Sequence, residues 1–154
     1  MIRAWRITDE KYARRAFDGE GARRYGGRWN HKGSSAVYTS DSLALAALEQ
    51  LVHSSAEIPL SPRVAISVDI PTDLAITVIS PSELPEGWRR TDGVEALKER
   101  GTRWLDAGET AVLSVPSVIV PKELNYVLNP EHPDFGRIEI GGPEVFEFDP
   151  RLLS

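Results

Sequence analysis

Arg63-Val64-Ala65-Ile66-Ser67-Val68-Asp69-Ile70-Pro71-Thr72-Asp73-Leu74-Ala75-Ile76-Thr77-Val78-Ile79 is the stretch from which the fold class is read. Val64, Ile66, Val68 and Ile70 alternate with other residues, the period of a half-buried strand. Pro71 turns the chain, and 74–79 reads as a second strand. A parallel return needs a crossover of a dozen or more residues, so links this short favour antiparallel or mixed pairing. Upstream, 1–7 reads as a strand, and Thr8 is expected to cap a short helix to about Phe17. Residues 19–35 form a long Gly- and Arg-rich loop. Residues 36–39 read as a short strand. Ser40 or Ser42 then caps a helix to about Ser54, with Leu45, Leu48, Leu51 and Val52 at helical spacing. Downstream, Asp92-x-x-Glu95 has the form of a capping box opening a helix to about Leu105, with Val94, Leu97, Trp104 and Leu105 on its apolar face. Residues 111–120 are β-rich but interrupted at Pro116-Ser117, and 137–140 and 144–148 read as closing strands. The expectation is one α+β domain over 1–154, with a mixed or antiparallel sheet and a few helices.

Composition narrows the function. The 154 residues contain no Cys, which excludes a disulfide scaffold, a thiolate metal site and a Cys nucleophile. The net charge of −5 argues against a broad nucleic-acid footprint, so no direct nucleic-acid partner is expected. The start has no apolar run of a secretory signal. The longest uncharged run, 110–121, is short and contains Pro116 and Pro121, so no membrane partner is expected. His31, His53 and His132 are too scattered for a metal-ligand spacing, and no metal is expected. A cytoplasmic domain is the expected class.

Three segments could carry chemistry. Arg23-Arg24-Tyr25-Gly26-Gly27-Arg28-Trp29-Asn30 puts bidentate phosphate donors beside aromatic faces, on a backbone that glycine lets approach closely. That suits a nucleotide; a solvated loop anchored by its Trp reads equally well. Glu49 sits among apolar helix positions, on one face with Leu45 and His53, either as a helix-surface residue or as a base or charge stabiliser. Ser117 is a lone hydroxyl after Pro116 in an apolar run, either a kink residue bonding the local backbone or a functional group.

Taken in order, these segments resemble the RES domain family, named for a recurring Arg, Glu and Ser. The resemblance runs through Tyr25-Gly26-Gly27-Arg28-Trp29-Asn30, Ala36-Val37-Tyr38-Thr39-Ser40, Leu43-Ala44-Leu45-Ala46-Ala47-Leu48-Glu49 and Val115-Pro116-Ser117-Val118-Ile119-Val120-Pro121. It continues in Asn125-Tyr126-Val127-Leu128-Asn129-Pro130, His132-Pro133-Asp134-Phe135 and Phe146-Glu147-Phe148-Asp149-Pro150-Arg151-Leu152. It implies a fold similar to ADP-ribosyltransferases of the diphtheria-toxin type. It further implies the toxin of a bacterial RES–Xre toxin–antitoxin pair that consumes NAD⁺ by hydrolysis or phosphorolysis.

Residue by residue, the resemblance makes Arg28, Tyr38, Glu49 and Ser117 the catalytic set, with Ser114 the alternative serine. NAD⁺ contacts are expected from Arg24, Tyr25, Gly27, Arg28, Trp29, Asn30, Tyr38 and Ser117. The implied partners are NAD⁺ as substrate and an Xre-type helix-turn-helix antitoxin, in a homo-oligomer or a toxin–antitoxin hetero-oligomer. Two other functions stay open: ADP-ribosyl transfer from NAD⁺ to a protein, and a non-catalytic nucleotide-binding module.

Overall fold

The two strands flanking Pro71 do not pair with each other. In a computed structural model that describes residues 1–53 and 62–153, strand β1 (Ile2–Asp9) is followed by a short 3₁₀ turn, helix α1 (Glu20–Tyr25), strand β2 (Val37–Ser40) and helix α2 (Leu43–His53). Then come β3 (Arg63–Ile70), β4 (Ile76–Val78), helix α3 (Val94–Ala107), β5 (Val112–Pro116), β6 (Leu124–Leu128), β7 (Glu139–Ile140) and β8 (Glu144–Phe146). The sheet runs β4-β5-β6-β2-β1-β3-β7, with β8 also paired to β3. Among the described residues only β4 and β5 are parallel, and α3 lies in their crossover; the other pairings are antiparallel, so the sheet is mixed as expected.

The sheet must curl. Laid flat, β3 and β4 would sit five strand spacings apart, roughly 24 Å. The six Cα steps joining them span at most about 20–22 Å when fully extended. Curling brings Val68 and Ile70 of β3 into one core cluster with Val112 of β5 and Leu128 of β6. On the other face of β5 and β6, Leu113, Val115 and Val127 pack with Leu97, Trp104 and Leu105 of α3 and with Trp29. Ala46 of α2 packs over Ile7 and Ala65.

Several elements differ from expectation. The first strand runs on through Thr8, and Asp9 is the cap, its side chain accepting from the Lys11 N–H at 3.0 Å. The expected loop 19–35 contains α1, entered through Gly19 at φ 75°. Strand β6 was not anticipated. The Asp92 box does not form: α3 starts after Gly93, with no side-chain cap. Ser42 caps α2, its Oγ accepting from the Leu45 N–H at 3.0 Å. Leu45 and Ala46 are the buried residues of α2, whereas Leu48 and Val52 are exposed, so the apolar face is rotated from the one the spacing predicts. The expected end of α2, Ser54, lies outside the described residues. Among the described residues, no helix is long and apolar enough to cross a membrane.

Candidate functional site

β1 and β2 pair at one register position, Trp5 opposite Ser40. Beyond it the strands part, and the Arg6 guanidinium bridges the gap, its Nη1 donating to the Tyr38 carbonyl at 3.2 Å. The parting opens a cleft of about 570 Å³, walled by Arg6, Arg28, Tyr38, Glu49, His53 and Asn125 among others. That volume falls in the range of small-ligand sites.

Glu49 projects from the buried side of α2. Its Oε2 accepts from Asn125 Nδ2 and from Ser117 Oγ, the latter at 3.3 Å. Ser40 Oγ in turn donates to Asn125 Oδ1 at 2.7 Å, which orients the amide. Ser117 is fully buried where β5 ends at Pro116, and its Oγ also accepts from the N–H groups of Ile119 and Val120, each at 3.1 Å. One carboxylate oxygen is therefore held from strand β6 and from the residue that follows β5. The other, Oε1, has no hydrogen bond among the described residues and lies 3.8 Å from His53 Nε2. Ser114 is buried in β5 opposite Tyr126 and does not bond Glu49; of the two serines, Ser117 is the one that reaches it.

The glycine-rich segment is built around Asn30, which is fully buried. Its Nδ2 donates to the carbonyls of Ala22, His31 and Ser34, at 2.9, 3.1 and 3.1 Å. Its Oδ1 accepts from the Tyr38 hydroxyl at 2.5 Å, and that hydroxyl accepts from the Trp29 N–H at 3.0 Å. Burial pushes the Tyr38 phenol well above its ordinary range, against the opposing Trp29 hydrogen bond and Arg28 charge. Tyr38 is therefore a neutral wall of the cleft and not a base. A Cβ on Gly27 would sit 2.6 Å from the Tyr38 hydroxyl oxygen and 2.8 Å from Asn30 Oδ1, so close approach explains this glycine.

Of the expected contact residues, Arg28, Tyr25, Gly27, Trp29 and Tyr38 line the cleft, and Asn30 and Ser117 stand behind it as supports. Trp29 is chiefly a core anchor at 3% exposure, while Tyr25 stands out at the rim at 75%. Arg24 does not line the cleft; it is exposed and pairs with Glu20 at 3.3 Å. Glu20 also binds Arg23, and these partners, Arg23 first, hold its carboxyl down at about 2. With the folded value depressed, this pairing is fully present above the usual carboxylate range and is lost as pH falls through about 2. A carboxyl NMR titration should place the Glu20 midpoint there, and Arg23→Gln should raise it.

Sequence reasoning assigned no role to Arg6, Asn125 or His53. Burial pushes the Arg6 guanidinium below its ordinary value, with the Asp18 charge opposing, and its Nε has no partner among the described residues. It remains a fixed positive charge on the cleft floor. Its position on the strand face of buried Ala4 was the available signal. The signal for Asn125 was a lone amide in the apolar run Leu124–Leu128.

These features define an α+β domain whose split sheet frames a cleft lined by Arg6, Arg28 and one oriented carboxylate, Glu49. The same fold occurs in a chain of the M. tuberculosis MbcT–MbcA toxin–antitoxin complex, with TM-score 0.74, 24% identity, and 94% of this chain and 83% of that chain covered. The RES domain profile matches residues 3–149, and the protein belongs to the RES domain family. It is 39% identical over 149 residues to a Toxin Res of Yersinia enterocolitica, covering 96% of this chain and 97% of that protein. It is 38% identical over 154 residues to the Prs ADP-ribosylating toxin of a Sphingobium strain, covering 97% and 95%.

Proposed function

We propose that the cleft binds NAD⁺ and cleaves its nicotinamide–ribose bond, and that the protein is the toxin of a toxin–antitoxin pair. The observation that carries the reading is Glu49, a carboxylate lining the cleft with one oxygen tied down by Asn125 and Ser117 and the other without a hydrogen bond among the described residues. Cleavage of this bond passes through an oxocarbenium-like sugar. A fixed carboxylate stabilises that positive charge without reorganising. Nicotinamide leaves neutral from a pyridinium, so no second carboxylate is needed as an acid. Arg28 and Arg6 form no ion pair among the described residues and face the same cleft, which suits a pyrophosphate. Tyr38, neutral and rigidly bonded, gives a flat wall for nicotinamide or ribose. The relatives' names, Toxin Res and Prs ADP-ribosylating toxin, support an NAD⁺-using toxin. The complex in which the structural neighbour was solved supports an antitoxin partner; the family resemblance is what suggests the Xre helix-turn-helix type for it.

The test is the release of free nicotinamide from NAD⁺ by the purified chain, with and without phosphate. Release with ADP-ribose as co-product establishes hydrolysis. An ADP-ribose phosphate ester establishes phosphorolysis, and label from NAD⁺ retained on a protein establishes transfer. Tight NAD⁺ binding with none of these products overturns the enzymatic reading in favour of a binding module.

A further inference from the structure

The cleft has a side pocket of about 200 Å³, lined by Tyr25, Gly26, Gly27, Arg28, His53, Val94 and Lys98. Of these residues, Tyr25, Gly26, Gly27, Arg28 and His53 also line the main cleft, so the two spaces meet there. His53 stands at the junction, half-exposed, one helical turn beyond Glu49 and with Nε2 3.8 Å from its free oxygen Oε1. Among the described residues, the groups facing it are Glu49 on its own helix, Tyr25 and Arg28 from the glycine-rich segment and Lys98 from α3. Among the described residues, no Asp or Glu lines the side pocket.

We propose that the side pocket is the entry subsite for the acceptor, and that His53 is the base that takes the acceptor's proton. The inference rests on the NAD⁺ reading above. Glu49 cannot readily serve both the sugar and the acceptor: Oε2 is committed to Asn125 and Ser117, and Oε1 is the oxygen left for the developing cation. The attacking hydroxyl needs a second basic atom, and His53 Nε2 is the imidazole nitrogen beside it. With water as acceptor, its oxygen bonds to the ribose anomeric carbon as the carbon–nitrogen bond breaks. The bonding pair stays with nicotinamide, which departs neutral, and the water proton passes to His53 Nε2. ADP-ribose and nicotinamide are the products, and the proton returns to solvent because the side chain is half-exposed. Glu49 and His53 thereby share the work that one carboxylate could not do alone.

His53→Asn and His53→Gln in the full chain test this against wild type and a Glu49→Ala control. The expected result is a loss of roughly 10²-fold in nicotinamide release in both His53 variants, within the usual range for proton-transfer catalysis. The loss should fall on kcat, while the KM for NAD⁺ changes little. Azide ion, an acceptor with no proton to lose, should restore nicotinamide release in the His53 variants far more than it accelerates wild type, and should not rescue Glu49→Ala. A merely structural His53 would not respond to azide. Variants that match wild type at every pH, or a loss that azide leaves unchanged, overturn the proposal while Glu49-dependent release keeps the NAD⁺ reading. Release equal in wild type and Glu49→Ala, or none in wild type, overturns both.

Discussion

Replacing Glu49 by Gln should abolish most NAD⁺ cleavage while leaving the fold in place. Gln preserves the side-chain length and can still offer Asn125 an amide oxygen where Oε2 accepts now. What it removes is the negative charge facing the cleft. Of the carboxylates that line the cleft with Arg6 and Arg28, Glu49 is the one that Asn125 and Ser117 hold in place to meet a cationic sugar. Loss of one preorganised electrostatic group costs about 10²–10³ in rate. The measurement is kcat for nicotinamide release beside thermal unfolding of both proteins. A variant that unfolds within a few degrees of wild type and retains full activity would remove Glu49 from the mechanism.

Gly101→Ala should produce the largest loss of stability. Gly101 lies in the middle of α3, where Ala would ordinarily be the better helix former. Here a Cβ would stand 1.8 Å from the Trp29 carbonyl oxygen and 2.7 Å from its carbon. Those are backbone atoms, so neither can rotate away. The segment carrying Trp29 must lift off the helix, or the helix must move off the sheet. Overpacking ordinarily costs about 1–3 kcal/mol, and a clash with fixed backbone belongs at or above the top of that range. At ~2–4 °C per kcal/mol for a domain of this size, Tm should fall by roughly 6–12 °C or more. Gly21→Ala is the matched control: it is helical, a Cβ there meets nothing within 4 Å, and the change should be neutral or slightly stabilising. Because Trp29 donates to Tyr38 and adjoins Arg28, Gly101→Ala should also depress the activity of the fraction that still folds. Equal melting of the two variants would contradict this packing.

The same contact shows why parts of the fold were hidden from sequence reading. Gly101 reads as a blemish in an amphipathic helix, and only the chain crossing over it makes it necessary. Strand β6 was missed for a related reason. Asn125 breaks its apolar pattern, yet that amide is placed by pairing Asn125 opposite Ser40 and is used to hold Glu49. Helix α1 was missed because Gly19, Gly21 and Gly26 look like loop punctuation. Gly19 and Gly26 do sit at φ 75°, flanking the helix instead of dissolving it. The apolar spacing of α2 was sound as periodicity, but periodicity does not say which side of the stripe meets the sheet.

The sequence by itself determined the mixed α+β class, through the alternation of 63–70 and links too short for repeated crossovers. It also offered Arg28, Tyr38, Glu49 and Ser117 as the candidate set, because an ordered set of short motifs keeps residue types even where it says nothing of distance. The tertiary structure alone decided what those residues do to one another. Curling of the sheet and the parting of β1 from β2 after a single paired position bring residues 28, 38, 49 and 125 to one cleft. The same fold sets Arg6 on its floor, His53 where it meets the side pocket and Ser117 behind the carboxylate. These are long-range consequences of strand order, and strand order depends on packing across the whole core instead of on any local pattern.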